Sequence, residues 1–268
     1  MVITSGSKLV NVVFCVDVTG SMEYLIESVQ RGIEKVAQIY LSSRLDMRIG
    51  LVEFRDKVYA RAQGDVSLDP IAGGVSTMRI AKFEGGRTFT SNTEEFAKAV
   101  SELKALGGGD APESSFDAIA TAATDSDWDD GATRVIVHMT DAPPVIPDVD
   151  IADSEQLRQV VSECKIDQIF VIAQISDHHH YSSLANATAR NDQFTLLSLH
   201  EITTNVERMV RVLEDVAKTS SEGIEDDLGT ELEVPEEISE NPFDDNDEDE
   251  AEIEESPEWE DDDDNPFA

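Results

Sequence analysis

The sequence predicts an α/β fold, with strands gathered in a parallel sheet and helices packed on both of its faces. Three observations predict it. Strand-length apolar runs lack the polar alternation of a half-exposed sheet. Segments of helical period separate those runs. Two of the runs, Val12-Val13-Phe14-Cys15-Val16-Asp17 and Thr133-Arg134-Val135-Ile136-Val137-His138-Met139-Thr140-Asp141, end in a carboxylate.

The first strand is rich in β-branched residues and places Asp17 at its C-terminal end. From about Ser21, the residues Leu25, Ile26, Val29, Ile33, Val36, Ile39 and Tyr40 recur at helical spacing, a crossover helix ending near Leu41 and Ser42. Met47 to Phe54 reads as the second strand. From Arg55 to about Val75 the signals are those of a loop, including Asp69-Pro70 and Gly73-Gly74. Met78 to Phe83 alternates apolar with polar or small residues, as an edge strand does. Asn92 followed by Glu95 resembles a capping box, opening a helix with Phe96, Val100 and Leu103 on one face. That helix stops at Gly107-Gly108-Gly109. Asp110-Ala111-Pro112-Glu113 follows, with Pro112 suited to the first turn of a helix carrying Phe116, Ile119, Ala120 and Ala123. After the strand ending at Asp141, Ala142-Pro143-Pro144 bars direct continuation into a helix. A helix over about 154–164, a strand over 168–175, a short helix near 183–190, a strand over 194–199 and a helix over about 203–217 complete the order.

Composition narrows the function. A chain of 268 residues with 40% hydrophobic content can build a substantial core. Its formal net charge is -37, and 24 of the 57 acidic residues but none of the 20 basic ones follow Lys218. The part up to Lys218 is therefore moderately acidic and the remainder extremely so. Such a surface repels phosphate backbones, which excludes nucleic acid as an expected partner. No stretch approaches the length of a membrane span, and the first apolar run reads as a core strand rather than a signal peptide. Cys15 sits in the expected central strand and Cys164 near the end of a later helix, so they are not expected to pair, which fits a reducing, cytoplasmic setting.

Ligands of open α/β sheets gather outside the carboxyl ends of the strands, so Asp17, Thr19 and Ser21 are candidates for one site. A carboxylate and two hydroxyls are hard oxygen donors, suited to Mg²⁺ or Mn²⁺. A second reading makes Asp17 a turn cap and Ser21 a helix N-cap, and the pentapeptide alone fits both. Glycines ahead of Asp110 let the backbone approach a neighbour closely; equally, they suit a flexible connector between helices. His178-His179-His180 invites a metal reading, but consecutive residues cannot all face one ion, and a solvated loop is the expectation. Neither zinc-ligand spacing nor a Gly-x-x-x-x-Gly-Lys phosphate loop occurs.

Asp17-Val18-Thr19-Gly20-Ser21, Gly107 to Glu113, and Thr140-Asp141, in that order, resemble the site-forming loops of the von Willebrand factor A domain over about residues 8–218. The resemblance implies a doubly wound, mostly parallel six-stranded sheet with one antiparallel edge strand, supplied by Met78 to Phe83. It also implies a metal-ion-dependent adhesion site in which Asp17, Thr19 and Ser21 form the Asp-x-Ser/Thr-x-Ser motif and Asp141 is the aspartate of the later loop. Many of these domains place a threonine in the middle loop where this chain has Asp110, a departure that resembles A domains of hemicentins and alpha-kinase-associated proteins. If Asp110 reaches the ion, three carboxylates hold it more firmly and leave it less attractive to a partner's carboxylate. If Asp110 contacts through water or caps the next helix, the ion keeps more electrophilic character. The implied function is binding without catalysis, an acidic residue of a protein partner being taken at Mg²⁺. A regulatory subunit of an ATPase or kinase machine is the alternative. A haloacid-dehalogenase-like phosphatase is the enzymatic rival, but its second aspartate, two residues on, is here Thr19.

The expected division is residues 1–220 as the A domain and 221–268 as an acidic tail. With four prolines, many carboxylates and few large apolar residues, the tail is expected to stay disordered. Asn241-Pro242-Phe243 and Asn265-Pro266-Phe267 repeat one tripeptide, and Asn-Pro starts a turn that exposes the ring that follows. These segments resemble motifs bound by EH domains, for which two copies would add avidity. A solubilising tail is the other reading.

Overall fold

A first strand, β1 (Val10–Asp17), is buried along its whole length between two parallel neighbours. The structure, a computed structural model of the chain, describes residues 9–42, 46–109, 111–188 and 194–200. On one side Val10 to Asp17 pairs in register with Met47 to Phe54 of β2 (Met47–Phe54). On the other side Val10 to Val16 pairs with Thr133 to Met139 of β6 (Thr133–Met139). Beyond β6 come β7 (Gln168–Ala173) and β8 (Phe194–Ser198), also parallel. Next to β2 runs the short β5 (Met78–Ile80), antiparallel. The order β5-β2-β1-β6-β7-β8 is thus the expected mostly parallel six-stranded sheet with one antiparallel edge. The edge strand is shorter than its alternating pattern, because pairing with β2 covers only Val52 to Phe54.

The unbroken apolar run of β1 has a direct cause. Val12, Phe14 and Val16 face one layer, where Ile33 of α1 (Ile26–Ser42) and Phe96 and Val100 of α3 (Thr93–Ser101) pack. Val13 and Cys15 face the other, against Phe116 and Ile119 of α4 (Ser115–Asp125) and Leu157 and Val161 of α5 (Ser154–Glu163). Both faces are dry, so both must be apolar. His138, opposite Cys15 on β6, is sheet core as its setting in an apolar strand suggests: fully buried, stacked on Phe54 at 5.1 Å between ring centroids and 5.8 Å from Tyr181. Burial pushes its imidazole down to about 3. Both cysteines are free.

Several local expectations are corrected. The first crossover begins with a 3-10 turn, Gly20–Tyr24, before α1. The loop expected from Arg55 to Val75 contains α2 (Lys57–Ala62) and a small hairpin of β3 (Leu68–Asp69) with β4 (Val75–Ser76). α2 is set by its surroundings: Asp56 accepts from the Tyr59 amide at 2.9 Å, and the buried Lys57 ammonium donates to Asp117 at 2.6 Å and also to Asp150. The capping box is half formed. Asn92 Oδ1 accepts from the amides of Glu94 and Glu95, but the Glu95 carboxylate turns away to the Glu84 amide and the Thr90 hydroxyl. Pro112 lies ahead of α4 rather than in its first turn, since the helix starts at Ser115. His178 to His180 form α6 (His178–Tyr181), a single turn in place of a loop, with His179 bonded to the Ser176 carbonyl oxygen. The short helix expected near 183–190 is a 3-10 turn, Ser182–Asn186. The helix expected over 203–217, Asp110, and the tail with both Asn-Pro-Phe motifs lie outside the described residues. No described helix is long and apolar enough to cross a membrane.

Candidate metal centre

The chain leaves β1 toward β2 on one side and returns to β1's other side with β6, so the crevice between the ends of β1 and β6 is the switch point of the sheet. Asp17 closes β1 there. Thr140 and Asp141 follow β6, and the two ends meet: Thr140 donates from its hydroxyl to Asp17 Oδ2 at 2.7 Å. On the same carboxylate, Oδ1 accepts from the Thr19 amide at 2.9 Å and the Thr19 hydroxyl at 2.7 Å. The Thr19 and Ser21 hydroxyl oxygens stand 3.1 Å apart, and Ser21 donates to Asp141 Oδ1 at 2.9 Å. Asp17, Thr19, Ser21 and Asp141 are therefore one connected cluster of oxygens drawn from two loops.

This geometry decides between the two readings of the opening motif. Asp17 does receive the Thr19 amide, as a turn cap would. Ser21 is not an N-cap: Thr19 precedes the 3-10 turn, makes no side-chain capping bond, and the Ser21 hydroxyl reaches across to Asp141 instead.

The glycine loop supplies the third wall, and here close approach prevails over a loose connector. The Gly107 carbonyl oxygen accepts from the Gly20 amide at 2.9 Å, and the Gly108 amide donates to Asp69 Oδ2 at 2.7 Å. A Cβ on Gly107 would fall 2.1 Å from Asp69 Oδ2, and one on Gly108 would fall 2.8 Å from the Thr19 side chain; both residues have positive φ. Gly107→Ala should cost about 3 kcal/mol of stability, combining the left-handed backbone with the clash. A urea midpoint within error of the parent's would contradict that packing.

Glu113 is the residue that sequence reasoning passed over. It is 3% exposed, its Oε2 has no hydrogen-bond partner, and its Oε1 lies beside the same Gly108 that packs on Thr19. Backbone bonds from Glu113 to the Pro143 carbonyl and from Val145 to the Glu113 carbonyl, 2.9 and 2.8 Å, fix it against the loop that follows Asp141. Burial pushes its carboxyl up to about 10, with the charges of Asp17, Asp56 and Asp141 adding to the effect. Burial likewise raises Asp17 to about 6 despite the Thr140 and Thr19 hydrogen bonds, and raises Asp141. The available signal was its place in the Asp110-Ala111-Pro112-Glu113 segment already marked by the glycines. Thr140 was marked only as a strand end, and Gln174, which donates to the Asp141 carbonyl oxygen at 2.6 Å, carried no sequence signal.

Arg55 offsets part of this negative charge. It is buried, faces Asp69 and then Asp17 electrostatically, and donates to the carbonyl oxygens of Leu106, Ser76 and Lys104. Among the described residues no group of three or more His, Cys, Asp or Glu side chains is arranged to hold an ion unaided. The hydroxyls of Thr19 and Ser21 are needed, and with them the set is all-oxygen. Crowded, buried carboxyls with raised proton affinity and one orphaned oxygen fit a divalent cation, which would satisfy each of these at once.

An open, doubly wound sheet with such an oxygen cluster at its switch point defines the class of A-type domains. The chain matches the model of the integrin beta chain VWA domain over residues 8–226 and belongs to that family. A curated relative is the alpha-protein kinase vwkA of Dictyostelium discoideum, 31% identical over 140 residues; the match covers 52% of this chain and 19% of that protein. This chain thus spans about a fifth of that relative. Among solved structures it resembles proximal thread matrix protein 1 of the mussel byssus with a zinc-occupied MIDAS motif, at TM-score 0.51 and 13% identity over 77% of this chain and 46% of that one. It also resembles the pilus adhesin SpaC of Lactobacillus rhamnosus GG in an open conformation, at TM-score 0.53 and 15% identity over 82% and 31%. At these identities the likeness is one of fold.

Proposed function

We propose that the chain is a non-enzymatic protein-binding module. In this reading Asp17, Thr19, Ser21 and Asp141, with the buried Glu113 beside them, hold a divalent cation that takes an acidic side chain from a partner. The observation that carries it is the hydrogen-bonded chain from Asp17 through Thr19 and Ser21 to Asp141, closed on a third side by a buried carboxyl with an unpartnered oxygen. Mg²⁺ suits the all-oxygen donor set, with Mn²⁺ as a substitute. The cation would supply Lewis acidity toward a carboxylate. The protein residues supply its fixed position: Thr140 orients Asp17, and Gln174 holds the Asp141 backbone. Asp110 stays a candidate ligand three residues before Glu113. No described nucleophile with an adjacent base accompanies this cluster.

The wider role follows from the sequence: a cytoplasmic adaptor whose tail, through Asn241-Pro242-Phe243 and Asn265-Pro266-Phe267, offers short motifs to an EH-domain protein. The vwkA relative favours a second reading, in which the module serves a kinase machine as a regulatory part. Pull-downs with the full chain in Mg²⁺ and in chelator, alongside an Asp17→Ala variant, test the first reading. Partners lost both with chelator and with the variant support it; a partner set indifferent to both refutes it.

A further inference from the structure

The turn that carries Thr19 and Ser21 is strapped from outside on both sides of Thr19. The Leu106 amide donates to the Val18 carbonyl oxygen and the Gly20 amide to the Gly107 carbonyl oxygen, both at 2.9 Å. Gly108 lies so close to the Thr19 side chain that a Cβ would fall 2.8 Å from it. Residues 106–108 therefore set where the backbone presents the two hydroxyls. Yet Gly107 and Gly108 have positive φ and no side chains of their own to anchor them, so holding them in one conformation costs backbone entropy. Contacts from elsewhere must offset that cost.

Two buried charged side chains supply them. Arg55 donates from Nε to the Leu106 carbonyl oxygen at 2.9 Å, from Nη2 to that of Lys104 at 3.4 Å, and from Nη1 to that of Ser76 at 3.1 Å. One guanidinium thus ties the segment ahead of the glycines to β4. Asp69 of β3 uses both carboxylate oxygens. Its Oδ1 accepts from the Ile71 and Ala72 amides at 2.8 and 3.0 Å, closing the turn of the hairpin, while Oδ2 accepts from the Gly108 amide at 2.7 Å. Arg55 is 5% and Asp69 1% exposed. Burying such groups carries a desolvation cost that apolar residues would avoid. Here both act on one loop, from a hairpin that contributes none of the oxygens of the metal centre.

The geometry points to Arg55 and Asp69 as positioning residues of the metal centre. They hold residues 104–108 against the turn after β1, and so keep the Thr19 and Ser21 hydroxyl oxygens together at 3.1 Å. The hairpin of β3 and β4 is the brace through which they act. Their part is played through the loop and not as ligands, in the way that outer partners orient the groups that bind an ion. The proposal rests on the metal-dependent reading above, and adds that the affinity of the site is set in part from outside its own loops.

The test uses the full chain, with Mg²⁺ affinity read by calorimetry and amide hydrogen exchange read by NMR without metal. Asp69→Asn retains one acceptor oxygen, which the Ile71 and Ala72 amides keep, and turns a donor toward the Gly108 amide. Arg55→Lys preserves the charge but cannot span three carbonyls, and it alone decides if Asp69→Asn does not fold. Val161→Ala, at a fully buried position of α5, lowers stability without touching the loop. The expected result is that Asp69→Asn and Arg55→Lys each bind Mg²⁺ about tenfold more weakly than the parent. In both, the Gly20 amide should exchange about tenfold faster relative to the amides of β1. Val161→Ala should match the parent on both readouts. Parent-like affinity in Arg55→Lys overturns the proposal, because a loss confined to Asp69→Asn is an effect of the charge removed. An equal loss in Val161→Ala overturns it too, since affinity then follows stability alone. Either outcome leaves the metal reading standing. If the parent takes up no Mg²⁺, or Asp17→Ala takes it up equally well, the metal reading fails and the positioning role fails with it.

Discussion

Asp17→Ala is expected to weaken Mg²⁺ binding by at least about 100-fold, equivalent to about 2.7 kcal/mol, and to abolish carboxylate binding with it. Asp17 ties the ends of β1 and β6 together directly, through Thr19 and Thr140, as Ser21 does through Thr19 and Asp141. Removal of Asp17 takes away a proposed ligand and unties the two strand ends together. The proton balance adds a sharper expectation. Metal-free, Glu113 holds its proton up to about 10, so a cation that draws on Glu113 must displace it. Mg²⁺ affinity should rise by close to tenfold per pH unit between about pH 7 and 9, and Glu113→Gln should flatten that rise. Below about 6, protonation of Asp17 should weaken binding further. Calorimetry in two buffers of different ionisation enthalpy reads the released proton; pH-independent affinity in the parent protein would remove Glu113 from the site.

His138 gives the second large effect, on stability. Both its ring nitrogens are buried without a hydrogen-bond partner, and its folded-state value of about 3 lies below the ordinary 6.5. The native state therefore binds fewer protons than the unfolded chain between those values. The stability this group contributes is full above 6.5 and is lost as pH falls toward 3. Between pH 7 and 4 the loss is about 3 kcal/mol. His138→Leu should remove that slope while leaving the protein about as stable at pH 7, since losing two orphaned nitrogens offsets losing the stack on Phe54. Asp148 works in the opposite sense, because burial and Asp117 push it up to about 7, so its contribution declines as pH rises through that value. The difference between parent and variant isolates His138 from such terms. Parallel urea-stability curves from pH 7 to 4 would rule the account out.

How much of this could be read beforehand depends on where the determining contacts lie. β1, β2 and β6 were legible because burial on both faces demands mostly apolar residues along each strand, and the partly exposed Arg48 and Arg134 fall only at the second positions of β2 and β6. The position of Asp17 against Asp141 was legible because strand ends in such a sheet converge. α2 was not legible: it rests on the Lys57 pair with Asp117 and Asp150, contacts across 60 and 93 residues that leave no local period. Glu113 was hidden for a related reason. A glutamate after a proline looks like a first-turn helix residue, and only backbone pairing with the Pro143–Val145 stretch turns it into the crevice. The capping box failed on the side chain that found better partners in Glu84 and Thr90.

The central position of β1 has a consequence during synthesis. Its eight buried residues are made shortly before β2, but the partner on the other edge begins only at Thr133. At ribosomal rates of about 5–20 residues per second, that edge of a largely apolar strand waits roughly 6–25 s for its mate. An unpaired apolar edge is a template for strangers. The nascent chain should therefore be a client of holding chaperones during that interval, released once Met139 has cleared the exit tunnel.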